Sequence, residues 1–93
     1  MIKVNEYFEG RVKSLGFESG GRPHTAGVVS PGAYRFSTDK EERVTMALGR
    51  LSFRLPGQDW QELSPGGGSL TIPPGIEFEV EAQDTAAYVC TYY

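Results

Sequence analysis

Residues alternate between two faces in several short segments of the chain. In segment 51–55, Leu51, Phe53 and Leu55 share one parity, and Arg54 has the other. The same alternation gives three further inward sets, namely Tyr34 and Phe36; Phe78, Val80 and Ala82; and Tyr88, Cys90 and Tyr92. A period of two with one polar face is typical of antiparallel strands that bury one side.

Turn-forming residues separate these segments. They recur at intervals of about five to nine residues, which is typical of the short strands of a sandwich or barrel. Among them are Gly20-Gly21, Pro31-Gly32 and Pro56-Gly57, and we also place the segment 18–25 in a turn. No window carries a helical apolar stripe. The pattern therefore predicts one all-β domain over residues 1–93.

Composition excludes several classes of function. The 93 residues carry a net charge of −3 and a pI of about 5.0, whereas nucleic-acid binding needs a basic patch. No apolar run is long enough to span a bilayer, and the opening residues lack the apolar stretch of a signal peptide. Cys90 is the single cysteine, so no internal disulfide can form. We expect a cytoplasmic protein that contacts neither membrane nor nucleic acid.

Two spacings are similar to the motifs of cupins, which are small antiparallel β-barrels or jelly rolls. Glu42, six residues and Gly49 match the second half of the first cupin motif. Gly67, five residues, Pro73, one residue and Gly75 match the opening of the second. Glycines suit hairpin turns that need positive φ, and proline can begin a strand without losing a ladder hydrogen bond. The two motifs in this order predict a cupin fold.

The metal-binding histidines of typical cupins are missing. Those proteins carry a His-x-His pair before the glutamate and another histidine in the second motif, where this chain has Phe78. The one histidine, His24, lies outside both motifs, and we expect it in an exposed loop. We therefore predict a metal-free cupin, which disfavours a metal-dependent isomerase or dioxygenase.

Several blocks along the chain carry a closer resemblance. The most specific are NEYF at 5–8 and YVCTY at 88–92, supported by VKSLGF at 12–17 and YRFST at 34–38. Through them the chain resembles the small single-cupin pyrimidine/purine nucleoside phosphorylases. The resemblance implies that phosphate attacks the anomeric carbon of purine and pyrimidine nucleosides, giving free base and ribose 1-phosphate. It implies no cofactor, with inorganic phosphate as co-substrate.

Such a reaction needs a cation for phosphate, and arginine suits the role through its bidentate fork. Arg22 is the first candidate, because glycines precede it and no strong strand pattern surrounds it. Lys13 is the second. Either could instead be an ordinary solvated charge. Three other arginines have the outward parity of their strands, namely Arg35, Arg50 and Arg54.

The base and the ribose need contacts of other kinds. The inward aromatic residues could stack on a base, although they could equally be ordinary core. The expected substrate-binding residues, besides Lys13, are Tyr34, Phe36, Thr38, Phe78, Tyr88 and Tyr92. Glu42 should point inward with a raised pKa and either bond ribose hydroxyls or act as an acid. The alternative is a core carboxylate bonded to Thr38 or Thr45.

The remaining expectations concern packing and partners. Cys90 should be a small buried hydrophobe, and Trp60 should pack a barrel corner or a dimer surface. We expect a homodimer, because the block 5–8 would otherwise leave an exposed edge strand. The second functional hypothesis is a non-enzymatic, metal-free cupin that binds a small ligand or a partner protein.

Overall fold

The computed structural model describes all 93 residues, which form ten strands and no helix. No helix is therefore available that could cross a bilayer. In chain order the strands are β1 (Lys3–Tyr7), β2 (Val12–Ser19), β3 (Arg22–Val29), β4 (Gly32–Ser37), β5 (Glu42–Leu48), β6 (Leu51–Arg54), β7 (Gln61–Leu63), β8 (Leu70–Ile72), β9 (Glu77–Ala82) and β10 (Ala86–Tyr92).

The strands pair into two antiparallel sheets. One sheet has six strands in the order β1-β2-β3-β10-β5-β8, and the other has four in the order β4-β9-β6-β7. The predicted alternation is confirmed, since Leu51, Phe53 and Leu55 are buried and Arg54 is exposed. The inner faces of both sheets contribute to one hydrophobic cluster of 15 buried residues.

The segment 18–25 was wrongly placed in a turn. Only Gly20 and Gly21 form the turn between β2 and β3, and the rest of the segment lies in those strands. His24 is consequently a half-buried strand residue rather than an exposed loop residue. Its Nδ1 lies 3.0 Å from the Thr91 hydroxyl, and its Nε2 lies 2.9 Å from the Ser19 carbonyl oxygen. Pairing of β3 with strands on both sides outweighs the local turn propensity of the glycines and proline.

Candidate active site

A cavity of about 440 Å³ lies between the inner faces of the two sheets. This volume falls within the usual range for small-molecule sites. Strand β4 and the aromatic residues Tyr7 and Phe8, at the end of β1, contribute to its lining. The two sheets supply chemically different walls.

The four-stranded sheet supplies an apolar wall, made by Phe36, Leu51, Phe53 and Val80. The Phe36 ring stacks on that of Phe78, with centroids 5.9 Å apart. Phe8 meets Phe36 edge-on at 5.4 Å, which fixes the ring from another side. A ring held in this way offers a flat surface on which a planar ligand can stack.

The six-stranded sheet supplies the polar wall, in which Ser14, Glu42, Tyr88, Cys90 and Tyr92 line the cavity beside the apolar Val29 and Val44. These side chains are held by bonds to their own sheet: the Tyr92 hydroxyl lies 3.2 Å from that of Thr25, and Asn5 Nδ2 donates to Ser14 Oγ at 3.3 Å. The wall therefore combines hydroxyls with one carboxyl group in fixed positions.

Glu42 is half-buried and lines the cavity, so the predicted inward orientation is confirmed. Burial raises its pKa above the usual value, the hydrogen bond from Cys90 opposes this, and the charge of Asp39 adds to it. The Cys90 thiol donates to Glu42 Oε1 at 3.4 Å, so the alternative of a carboxylate bonded to Thr38 or Thr45 was wrong. Thr38 instead donates to the Pro73 carbonyl oxygen at 2.7 Å.

Cys90 is almost fully buried, as expected, but it is more than a hydrophobe. Burial, reinforced by the neighbouring Glu42 charge, raises the pKa of its thiol to about 12. The thiol consequently remains protonated at neutral pH and serves as a donor to the carboxylate. One oxygen of Glu42 is thereby positioned, and Oε2 is left for another partner.

Tyr88 depends on a glycine in the neighbouring strand. It lies opposite Gly27 of β3, and a Cβ atom at position 27 would lie 2.5 Å from the Tyr88 Cζ atom. Only glycine leaves room for the ring there. Burial raises the pKa of Tyr88 to about 12 and also raises the pKa of Tyr92. Both phenols are therefore protonated donors at neutral pH.

The structure brings part of the predicted aromatic set to the cavity. Phe36, Tyr88 and Tyr92 line it, as does Glu42. Tyr34 and Phe78 are buried in the core instead, and the Tyr34 hydroxyl donates to the Ser30 carbonyl oxygen at 2.7 Å. Thr38 also lies outside the cavity lining.

The two cations selected for phosphate do not line the cavity. Arg22 is exposed, with its guanidinium carbon 4.2 Å from the centroid of the Tyr93 ring, and Arg43 approaches the same ring at 4.9 Å. Lys13 Nζ is exposed and lies 3.7 Å from Glu6 Oε1. Both residues lie on the outer face of the six-stranded sheet, and their roles toward phosphate stay predictions.

Sequence reasoning missed several lining residues. Leu51 and Phe53 had the inward parity that would have found them, whereas Ser14 follows a weaker pattern. Phe8 reaches the cavity from a turn in which Phe8 and Glu9 both have positive φ, 53° and 58°. Such a conformation in two non-glycine residues has no local signal in the sequence. Trp60 lies away from the cavity, beside Arg54.

Few metal-binding groups meet at the site. Glu42 and Cys90 are neighbours, but no three His, Cys, Asp or Glu side chains come together anywhere in the chain. A protein-held metal centre usually needs at least three such ligands. Whether the activity is independent of metal stays a prediction.

Known protein sequences similar to this chain share one family name. The family model for pyrimidine/purine nucleoside phosphorylase matches residues 2–92. A protein of that name from Magnetococcus marinus is 46% identical over 93 residues, which covers 99% of each chain. Another of the same name from Marinobacter nauticus is 43% identical with the same coverage.

Solved structures share the fold of this chain. A Vibrio parahaemolyticus protein of unknown function has a TM-score of 0.94 at 40% identity, covering 100% of this chain and 99% of the other. The EutQ protein of Clostridium difficile is only 16% identical but has a TM-score of 0.76, covering 88% and 67%. This more distant likeness concerns the fold alone and confirms the predicted cupin architecture. By its sequence over nearly the whole length, the chain belongs to the pyrimidine/purine nucleoside phosphorylase family.

Proposed function

We propose that this protein is a nucleoside phosphorylase of broad specificity. It converts purine and pyrimidine nucleosides and inorganic phosphate to free base and ribose 1-phosphate. The observation that carries the proposal, beside family membership, is the division of the cavity into an apolar and a polar wall. A nucleoside is divided in the same way, into a flat base and a sugar rich in hydroxyl groups.

The base is assigned to the apolar wall, stacked on Phe36. Every nucleobase has a π-face, so stacking tolerates purines and pyrimidines alike. Leu51, Phe53 and Val80 complete that wall and carry no polar side-chain atom that could reject one base in favour of another. This composition permits a broad range of nucleoside substrates.

The ribose is assigned to the polar wall. A phosphate oxygen forms a bond to the anomeric carbon, the bond from that carbon to the base nitrogen breaks, and the base leaves with a proton from the solvent or the site. The transition state resembles an oxocarbenium ion. Glu42, with Oε1 held by Cys90, accepts a hydrogen bond from a ribose hydroxyl through its carboxylate. The negative charge of Glu42 stabilises the positive charge that develops on the sugar.

The proposal includes a homodimer that forms through the outer face of the six-stranded sheet. The strand register places Val4, Leu15, Ala26 and Val89 in one row across four strands. Val4, Leu15 and Val89 are 68%, 45% and 36% exposed, and a monomer rarely leaves such a contiguous apolar surface open to water. Two copies related by a two-fold axis would cover it, and with it the edge strand β1. A cytoplasmic location stays a prediction.

One incubation tests the activity. Purified protein with uridine or adenosine and phosphate should release free base and ribose 1-phosphate, detected by chromatography, whereas omission of phosphate should prevent release. The non-enzymatic alternative predicts binding without release of base. Dialysis against a strong chelator should leave the rate unchanged, and loss of activity that added divalent metal restores would refute metal independence.

A further inference from the structure

Strand β4 is an edge of the four-stranded sheet, so half of its backbone groups lack a partner strand. Hydrogen-bonded and non-hydrogen-bonded pairs alternate along an antiparallel ladder. Directly after β4, the Thr38 N–H donates to the Ile76 carbonyl oxygen at 2.9 Å, which makes Phe36 and Phe78 the next hydrogen-bonded pair. The N–H and C=O groups of Arg35 and Ser37 therefore point away from β9, toward the open edge.

This open edge borders the cavity. Arg35 and Ser37 both line it, although their side chains alternate with the inward Phe36 and are exposed on the outer face. From this outward parity of the side chains, we expect the groups of Arg35 and Ser37 on the cavity side to be main-chain atoms. No backbone hydrogen bond outside the ladders involves either residue, so these donors and acceptors are available to a ligand.

We propose that the free edge of β4 at Arg35 and Ser37 recognises the hydrogen-bonding edge of the nucleobase. The inference rests on the proposed function and adds how that site tells a base from other planar groups. Uracil and adenine both carry adjacent donors and acceptors, which match the adjacent N–H and C=O of an extended strand. Phosphate matches poorly, because the carbonyl groups would repel its oxygens. The Phe36 ring between the two residues meets the face of the same base.

Recognition by main-chain groups also accounts for the broad range of nucleobases. A side chain that donates to one base usually faces a donor on another and is left unpaired, which costs binding. A strand edge offers a donor and an acceptor together, so different bases can each find a pair by a small shift along the edge. The broad specificity then requires contacts by the backbone as well as stacking.

Proline substitution isolates the N–H group. Proline is tolerated where the N–H of an edge strand faces outward. We compare Arg35→Pro with Arg35→Ala and Ser37→Pro with Ser37→Ala, so that each difference reports the backbone alone. Ala33→Pro against the unmodified protein is the matched control, since Ala33 has the same orientation in β4 but lies outside the cavity.

The expected result is a kcat/KM for uridine and adenosine about tenfold lower with proline than with alanine at position 35 or 37, from the loss of one hydrogen bond. The Ala33→Pro variant should stay within about twofold of the unmodified protein. Thermal melts identify any variant that has unfolded. Equal losses at all three positions, or no loss at positions 35 and 37, would overturn the proposal.

A titration of the unmodified protein needs no variant. In ¹⁵N-resolved spectra, free uracil should move the amide protons of Arg35 and Ser37 downfield in a saturable way and leave that of Ala33 in place. A shift caused by inorganic phosphate but not by uracil, or by neither, would overturn base recognition. These shifts do not depend on turnover, so phosphorolysis without them sinks only this inference, and the shifts without phosphorolysis sink only the proposed function.

Discussion

The two sheets of the barrel arrange polar and apolar side chains in opposite ways. The four-stranded sheet is apolar toward the cavity and charged toward solvent, where Arg54 donates to Glu79 at 2.7 Å. The six-stranded sheet carries Glu42 and several hydroxyl groups toward the cavity, while Val4, Leu15 and Val89 are exposed on its outer face. The first arrangement is the ordinary one for a sheet with one solvated face.

The six-stranded sheet differs from this ordinary arrangement on both faces, with polar side chains inside and an apolar row outside. Each of these features costs stability unless the side chains have partners. Buried polar groups require hydrogen bonds, and an exposed apolar row gains nothing in a monomer. The polar side chains of the inner face have partners within their own sheet, whereas the apolar row of the outer face would need a second subunit to cover it. The two sheets therefore have different proposed roles: the six-stranded sheet faces the ribose and carries the proposed subunit interface, and the four-stranded sheet faces the base.

The largest expected effect comes from a charge on the outer face of the six-stranded sheet. Val89→Lys would place an unpaired charge in the middle of the proposed subunit interface, which typically costs about 3–5 kcal/mol. We expect light scattering at micromolar concentration to give the dimer mass for the unmodified protein and the monomer mass for the variant. Ala33→Lys, on the outer face of the other sheet, should remain dimeric. Dimers of both variants would show that this face is not the interface.

The apolar wall gives the next largest effect. Phe36→Leu keeps most of the volume but removes the π-face, and base–aromatic stacking is worth roughly 1–3 kcal/mol. We expect kcat/KM to fall roughly tenfold or more for purine and pyrimidine nucleosides alike. Trp60→Leu is the control, because that ring contacts Arg54 outside the cavity. An equally active Phe36→Leu variant would remove the stacking role.

The close contact between Gly27 and Tyr88 tests how tightly the polar wall is built. A methyl group at position 27 meets the Tyr88 ring at 2.5 Å, so Gly27→Ala must displace the ring. We expect a loss of about 1–3 kcal/mol in the free energy of unfolding, measured by urea denaturation. Gly16→Ala in β2 is the matched control, since its nearest atom would be 3.7 Å away. Similar stabilities for the two variants would contradict the packing described here.

Ionisation of Glu42 should have a smaller effect on the stability of the fold, and its direction can be predicted. Its folded pKa is raised above the ordinary value of 4.5, so the fold favours the protonated form. The stability that this preference provides is present below the unfolded pKa and is lost as the pH rises through the folded value. Glu42→Gln cannot ionise, and its Tm should exceed that of the unmodified protein at pH 7.

The difference in Tm should shrink as the pH falls through the raised pKa of Glu42, and it should vanish below 4.5, the ordinary value for this group. Glu81→Gln, on the exposed outer face of β9, is the control for removal of one negative charge. A Tm for Glu42→Gln that lies below that of the unmodified protein at pH 7 would mean that the carboxylate stabilises the fold. Phosphorolysis should fall in the same variant, because a ribose contact is weakened.

The sequence predicted the strands because they follow from a period of two, and it predicted the inward position of Glu42 because that residue matches the glutamate of the first cupin motif. It could not predict that Tyr34 and Phe78 are core while Phe36 lines the cavity, since all three have inward parity. Depth within a barrel depends on which strands lie opposite one another, and no local pattern encodes that. Phe8 was missed for a related reason, because its position depends on a turn with unusual φ angles. The Cys90 donor to Glu42 required the pairing of β10 with β5.

Substitution of Arg22 carries the smallest expected effect. It tests the sequence-based choice of Arg22 for phosphate binding against its position on the outer face in the structure. If the Arg22 guanidinium held phosphate, its removal would lower kcat/KM for phosphate about 100-fold. Arg22, however, is exposed on the outer face against Tyr93, and an exposed charge of this kind contributes little.

We therefore expect Arg22→Ala to change the phosphate dependence by less than about threefold. Arg43→Ala is the matched control, since Arg43 contacts the same ring. Steady-state kinetics at varied phosphate, with thermal melts of both variants, make the measurement; a 100-fold loss confined to Arg22→Ala would place phosphate at the outer face and restore the role that the sequence suggested.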